Sequence, residues 1–170
     1  MKSIVATGLI VAFALPSVMT RSNLILNTTD SVPIGLYRRT PGGAYAVFCL
    51  STGAARTALA AGLQIQSGPC PGGIQPLMKP LVQASLAHPL AYGPAGFAVD
   101  GKLVPNTAPK TKSKSGHGLE HFAFGTYAEG LWPVSSFNRD SFDARYYGPI
   151  RVDQIRFYAS PIWTWRSPKD

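Results

Sequence analysis

The sequence predicts a mostly β fold with little helix, and three features of its composition support that prediction. Charged residues make up only 14% of the chain, below the roughly 25% of an average soluble domain. The 17 glycines and 15 prolines suit short strands separated by turns, and they exclude a coiled coil or a helical bundle. Since 45% of the 170 residues are apolar, the chain can bury a core, and we expect one principal domain.

An uncharged, mostly apolar segment lies at the start of the sequence. Lys2 precedes a run from Ile4 to Met19 that contains no charged residue. The run is at the lower limit of the length that spans a bilayer, and a positive residue before an apolar stretch is also typical of a secretory signal. We predict that residues 1–20 form a membrane anchor or a signal segment, with a retained anchor preferred. Residues 21–170 then form an exported domain.

The first half of the exported part divides into short elements. Residues 23–39 mix turn residues with apolar ones, which predicts short extended pieces joined by a loop. Residues 44–50 are apolar and aromatic, which predicts a buried strand. Residues 52–62 are rich in alanine and lack proline, so they are the best helix candidate, with Thr52 as a possible cap. Residues 74–86 are apolar and predict a strand despite two prolines.

The second half contains the clearest turn signal of the chain. Asp100-Gly101 separates two short apolar runs and predicts a tight β-hairpin. Residues 122–134 and 152–165 are rich in aromatic residues and predict further strands. The loops between these strands are the places where a functional site is expected.

The formal net charge of +8 suits an anionic partner, but the basic residues are dispersed along the chain. The one local run is Lys110, Lys112 and Lys114, separated by threonine and serine. Since no aromatic residues interleave with these lysines, we predict a solvated loop there, with a phosphate-binding strip as the alternative. We expect no nucleic-acid partner.

Cys49 and Cys70 are the two cysteines of the sequence. In an exported domain an even pair predicts a disulfide, with two free buried thiols as the alternative. A bridge across this loop would contribute about 3 kcal/mol to the free energy of unfolding.

Two histidines allow a zinc hydrolase to be considered. His117 and His121 enclose an H-x-x-E-H pattern, which binds zinc only when both imidazoles share one helical face and a third ligand is present. Gly116 and Gly118 disfavour a helix there. The zinc site therefore remains an alternative, beside two exposed histidines in a polar loop.

One lysine is a candidate general base. A lysine accepts a proton only when it is uncharged, and burial in apolar surroundings lowers its pKa from about 10.4. Lys79 lies between Leu77-Met78 and Leu81-Val82 and is the one lysine in a segment that resembles a core strand. The alternative is an outward-facing lysine whose aliphatic part covers apolar neighbours.

A serine nucleophile is harder to choose from chemistry alone. Ser31 lies in a polar turn just after the apolar N-terminal segment, and Pro33 would stiffen that turn. The Ser31 N–H and the Thr29 hydroxyl are suited to binding an oxyanion. The alternative is that this segment is simply a polar turn.

Three blocks of sequence carry a resemblance to a known family. They are N-T-T-D-S-V-P-I-G-L-Y, then P-L-M-K-P-L, then S-S-F-N-R-D-S-F-D-A-R-Y-Y-G-P-I. In this order they resemble the bacterial type I signal peptidases, and more narrowly the conjugal-transfer peptidases that mature pilin subunits. The resemblance implies a signal-peptidase-like antiparallel β fold whose active site faces the membrane surface.

The resemblance also implies roles for individual residues. Ser31 matches the nucleophile and Lys79 the general base, while Thr29 matches a residue that lines the oxyanion hole together with Ser31. Ser141 matches a residue that orients the lysine. The sequence departs from the family pattern at Pro80, where we expect a difference in strand pairing.

Further positions match the support behind the site. Asp143 and Arg145 match a supporting ion pair, although Ala144 replaces a serine of the family pattern. Asp30, directly before the nucleophile, disfavours an oxyanion unless its carboxylate points away.

The resemblance implies no metal and no organic cofactor. It implies a Ser-Lys endopeptidase that acts on propilin or another exported protein, with hydrolysis and cyclisation of the pilin as alternative outcomes. Its partners would be that substrate and the inner membrane, with the catalytic domain facing the periplasm. The alternative from a different class is a non-catalytic scaffold of pilus assembly that keeps the fold.

Overall fold

The computed structural model describes residues 23–63 and 65–166, and it is built mainly of antiparallel strands. The larger sheet contains six strands: β1 (Leu24–Asn27), β2 (Ile34–Arg39), β3 (Tyr45–Phe48), β5 (Leu77–Gln83), β10 (Leu131–Pro133) and β11 (Ile155–Arg166). The smaller sheet contains β6 (Leu90–Gly93), β7 (Gly96–Val99), β8 (Lys102–Leu103) and β9 (Gly125–Tyr127). A short strand β4 (Ser67–Cys70) and two short helices, α1 (Thr52–Ala60) and α2 (Ala144–Tyr147), complete the regular α and β elements of this part of the chain. Single 3₁₀ turns lie at Pro71–Gly73 and Val152–Gln154.

The prediction of a mostly antiparallel β fold with little helix is confirmed. The order of strands is β1-β2-β11-β3-β5-β10 in the larger sheet and β8-β7-β6-β9 in the smaller one. The predicted membrane anchor or signal at residues 1–20 lies outside the described residues. Across residues 23–63 and 65–166, no helix has the length and apolar character needed to cross a bilayer.

The larger sheet is organised around β11, which pairs with β3 through its first half and with β2 through its second half. Gly35 of β2 lies so close to this strand that a Cβ atom would be 2.3 Å from the Trp163 carbonyl oxygen. A glycine is therefore required at this position. Since β1 and β2 are paired, both ends of the loop that carries Ser31 are held by the sheet.

Strand β5 changes partner at the proline that departs from the family pattern. Leu77 to Pro80 pair with β3, and Leu81 to Gln83 pair with β10. Proline has no N–H to donate to a ladder, and it is tolerated where a strand exchanges one neighbour for another. Pro80 therefore marks the end of the β3 pairing without breaking β5.

The Asp100-Gly101 turn joins β7 and β8, as the sequence predicts. Both residues have positive φ, 49° and 75°, which is the backbone that a tight two-residue hairpin requires.

Helix α1 confirms the alanine-rich helix, but its cap was predicted one residue too late. Ser51 is the N-cap, and its Oγ accepts a hydrogen bond from the Ala54 N–H over 3.2 Å. The predicted Thr52 is the first residue inside the helix. The Cys49–Cys70 disulfide is present and closes the segment that contains α1.

The segment that follows Ser141 is anchored in the main core. Phe142, Tyr146 and Ile150 are buried in one cluster with Phe48 and Leu50. This packing fixes residues 138–150 against the larger sheet, where Lys79 lies.

Candidate active site

Asn27 shapes the loop that carries Ser31. Its Nδ2 donates to the carbonyl oxygens of Thr29, Val32 and Pro33 over 2.8, 3.3 and 3.0 Å. Its Oδ1 accepts from the N–H and the hydroxyl of Thr29 over 3.2 and 2.9 Å. A single buried side chain thus holds both sides of the turn, so that the position of Ser31 is set by the end of β1.

Further contacts hold the backbone of the loop next to Ser31. Val32 is fully buried, and the Tyr37 hydroxyl donates to the Pro33 carbonyl. The Ser31 carbonyl accepts a hydrogen bond from the Ser135 hydroxyl. The Ser31 side chain itself is half-buried, and among the described residues it has no hydrogen-bond partner.

Lys79 is buried in the middle of β5, where only 3% of its surface is exposed. It lies opposite Ala46 of β3, and the small side chain of Ala46 leaves room for the lysine. Burial lowers the pKa of Lys79 to about 8, and the neighbouring Arg145 also lowers it, while Asp143 and Asp30 oppose the shift. Lys79 is therefore a core lysine and not an outward-facing one.

Ser141 binds the buried amine. Lys79 Nζ donates to Ser141 Oγ over 2.8 Å, and both residues are only 3% exposed. Since this is the one hydrogen bond of Nζ among the described residues, it fixes the direction of the amine.

Asp143 and Arg145 form the ion pair expected behind the site, and both side chains are fully buried. Arg145 Nε donates to Asp143 Oδ1 over 2.8 Å, and Nη2 donates to the Ser141 carbonyl over 2.6 Å. Asp143 Oδ2 also accepts from the Ser135 N–H over 3.0 Å. The pair therefore ties the Ser141 backbone to the segment that supports the Ser31 carbonyl. Ala144, between the two, is fully buried.

One cleft of about 520 Å³ is lined by four of these residues. They are Thr29, Ser31, Lys79 and Ser141. The rest of the cleft lining includes apolar residues and the three lysines Lys110, Lys112 and Lys114. The structure thus brings the predicted nucleophile, base and orienting serine to one surface, with the Asp143–Arg145 pair behind them.

Thr29 is engaged within its own loop. Its hydroxyl proton is directed to Asn27 Oδ1, and it must turn away from Asn27 before it can donate to an oxyanion. The Ser31 N–H, by contrast, has no acceptor among the described residues. Asp30 is exposed beside it.

The two histidines of the zinc alternative lie in an irregular segment rather than a helix. His117 Nδ1 is 3.1 Å from Ser115 Oγ, and the His121 ring stacks on Phe124. No three histidine, cysteine or acidic side chains within residues 23–63 and 65–166 are grouped as a metal site would require. The shared helical face on which the zinc interpretation depended is not formed.

Sequence reasoning missed two contributors to the cleft. The Lys110–Lys114 run, predicted to be a solvated loop, lines it. The second contributor is Asn27, which shapes the Ser31 loop and to which the sequence pattern assigned no role. A short amide side chain before a polar turn often binds nearby backbone groups, and that signal could have identified Asn27.

The chain was compared with known proteins. It is 36% identical over 148 residues to a plasmid transfer protein TraF of Escherichia coli, which covers 82% of each chain. It is also 31% identical over 147 residues to a probable conjugal transfer protein TraF of Sinorhizobium fredii, covering 82% of this chain and 77% of the relative. The chain belongs to the TraF family. No protein-family model matches it, and no solved structure matches it. An Agrobacterium fabrum conjugal transfer protein TraF is 27% identical over 146 residues, 82% of each chain.

Proposed function

We propose that this TraF-family protein is a serine endopeptidase of plasmid conjugation, with Ser31 as nucleophile and Lys79 as general base. The observation that carries the proposal is the burial of Lys79 in the cleft lined by Ser31, with Nζ held by Ser141. A lysine with a pKa of about 8 is uncharged in about a tenth of the molecules at pH 7. An arginine at this position would remain charged and could not take a proton.

The reaction divides into two proton-balanced halves. Ser31 Oγ attacks the scissile carbonyl carbon while Lys79 Nζ takes the hydroxyl proton. The tetrahedral intermediate collapses when the ammonium returns that proton to the leaving amine, which leaves an ester on Ser31. Water or an amine then attacks the ester, with Lys79 as base again. Water gives a linear acid, and an amine of the same substrate gives a cyclic product.

Two hydrogen-bond donors are proposed for the oxyanion. One has no acceptor now in the described part of the chain, and the other must first leave its present acceptor. The Ser31 N–H lacks an acceptor among the described residues and is available at once. The Thr29 hydroxyl joins it after turning from Asn27. A hydrogen bond that becomes stronger as negative charge develops on the oxygen stabilises the transition state more than the bound substrate, and so it lowers the barrier.

Two observations support the substrate and the cellular location that we propose. The relatives are named as plasmid or conjugal transfer proteins, and the sequence blocks resemble propilin-maturing peptidases. We therefore propose an exported propilin as substrate. We also propose an inner-membrane location with the catalytic domain facing the periplasm.

The test is maturation of the co-expressed propilin, followed by intact-mass spectrometry of the pilin. We expect Ser31→Ala and Lys79→Arg to abolish processing, because each removes one of the two reacting groups. Lys102→Arg, in an exposed hairpin away from the cleft, is the matched control and keeps full processing. A pilin mass lower by one water than the linear product marks cyclisation. Normal processing by Ser31→Ala would refute the proposal and favour a scaffold.

A further inference from the structure

Residues 110–119 form a basic arm that is folded onto the protein. The chain doubles back through a bridge between Lys112 and Gly118. Two backbone bonds close it, from the Ser113 N–H to the His117 carbonyl over 2.8 Å and from the Leu119 N–H to the Thr111 carbonyl over 2.9 Å. The backbone of the arm is therefore fixed beside the cleft that its three lysines line.

Side-chain and backbone contacts attach the basic arm at its turn and at its first residue. Ser115 Oγ donates to the Ala61 carbonyl at the end of α1 over 3.3 Å. At the other end the Lys110 ammonium pairs with Asp140, and the Lys110 N–H donates to the Tyr146 hydroxyl over 3.3 Å. Since Asp140 directly precedes Ser141, the basic arm is tied to the segment that holds Lys79.

The charges of the basic arm are incompletely neutralised. Lys110 and Lys114 share the single carboxylate of Asp140, with Lys114 Nζ 3.5 Å from it. Lys112 lines the same cleft and has no carboxylate partner among the described residues. Asp30 is the other acidic residue of the lining, so the three lysines of the arm exceed the two acids by one charge.

The lining of the cleft is also partly apolar. Leu63, Ile65, Leu77 and Phe142 line the cleft together with Leu119 of the basic arm. A ligand that fills the cleft therefore needs an apolar part for these side chains and an anionic group for Lys112. A polypeptide with apolar residues and one carboxylate has both.

We infer that Lys112 of the basic arm is a specificity residue that binds a carboxylate of the substrate polypeptide. The inference rests on the proposed peptidase function, and it adds the chemical class of the bound segment. The carboxylate belongs to an acidic side chain or to a free C-terminus. A peptide is favoured over a lipid headgroup because the same cleft is lined by Ser31 and Lys79.

The experiment measures peptide binding to the full-length Ser31→Ala protein in a neutral detergent. The probes are short alanine-rich peptides with a neutral fluorophore, in which a single Glu or Gln is moved along the sequence. Each peptide is made with a free and with an amidated C-terminus. Fluorescence anisotropy gives Kd in low and in high salt, and the lipid arm uses phosphatidylglycerol vesicles.

We expect one carboxylate position to bind about three- to fivefold more tightly than its neutral counterpart, with the preference falling in high salt. A Glu/Gln difference assigns the side chain, and a free/amide difference assigns the terminus. The preference disappears in Lys112→Gln and remains in Lys102→Gln.

Equal affinities for the charged and neutral peptides would overturn the inference. So would a preference that survives Lys112→Gln, or a loss confined to the binding of phosphatidylglycerol vesicles. Because binding is measured without the Ser31 hydroxyl, failure of the peptidase proposal is recognised separately, as unchanged pilin maturation by Ser31→Ala.

Discussion

Lys79 Nζ and Ser141 Oγ lie 2.8 Å apart in the interior of the protein, although the two residues are 62 positions apart in sequence. The contact joins the middle of β5 to the segment before α2. It holds an amine whose charged form is destabilised by burial, in a cleft that Ser31 also lines. Ser141, Asn27 and Arg145 hold the groups around this cleft, and substitutions of them and of Lys79 have distinct expected effects.

Ser141→Ala should lower kcat while KM changes little. Ser141 fixes the direction of the amine without contacting a substrate in the proposed reaction, and loss of one buried hydrogen bond corresponds to about a 10- to 100-fold fall in rate. The measurement is steady-state cleavage of a propilin-derived peptide. Ser113→Ala, at a serine that lines the cleft but contacts Ser115, is the control and should keep kcat. An unchanged kcat in Ser141→Ala would exclude the orienting role.

Asn27→Ala should lower kcat by about 10- to 100-fold, because the five hydrogen bonds that shape the Ser31 loop are lost together. Asn27→Asp should not restore it, since a carboxylate cannot donate to the three carbonyl oxygens. Thr28→Ala changes an exposed residue of the same loop and serves as the control. Activity of Asn27→Asp equal to that of the unmodified protein would show that the donor side of the amide is not needed.

Arg145→Lys should reduce the free energy of unfolding by about 3 kcal/mol, since lysine cannot reproduce the planar fork that binds Asp143 and several carbonyl oxygens. Urea unfolding with the disulfide intact measures it. Arg151→Lys, in the exposed pair with Asp153, should change stability by less than about 1 kcal/mol. Equal effects of the two substitutions would contradict the structural importance of the buried pair.

Lys79→Met should abolish activity but stabilise the fold at pH 7. The folded-state pKa of about 8 lies below the ordinary 10.5, so below pH 8 the folded protein holds a buried charge that the unfolded chain holds in water. A shift of this size corresponds to about 3 kcal/mol. The advantage of Lys79→Met should shrink as the pH rises from 8 to 10.5, because the folded-state lysine is then uncharged and the cost of removing its proton from the unfolded state falls with each pH unit.

Urea unfolding at pH 7 and at pH 10 measures this difference, with Lys102→Met as the exposed control. A Lys79→Met protein whose stability relative to the unmodified chain does not vary with pH would contradict the lowered pKa.

Local chemistry made part of the fold predictable. The Asp100-Gly101 turn and the alanine-rich helix are encoded by neighbouring residues, and both are found where they were expected. The cap was assigned to Thr52 instead of Ser51 because adjacent hydroxyl residues look alike in sequence. Only the backbone decides which of them lies just outside the first turn.

The site was predictable to a smaller extent. Composition could not decide whether Lys79 faces inward, because that depends on its pairing with Ala46, a residue distant in sequence. The placement of Lys112 at the cleft depends on the attachment of the arm through Ser115 to Ala61, and no local pattern encodes it. The sequence blocks did identify Ser31 and Ser141, which the structure brings to one cleft with Lys79.

The most direct test of a buried, partly uncharged base is an NMR titration of the lysine side chains in protein labelled with ¹³C at lysine Cε. The account predicts one signal that titrates near pH 8, is absent from the Lys79→Met protein and persists in Ser31→Ala. Titration of every lysine near 10.5 would contradict it, since almost no molecule would then hold an uncharged Lys79 at neutral pH to activate Ser31.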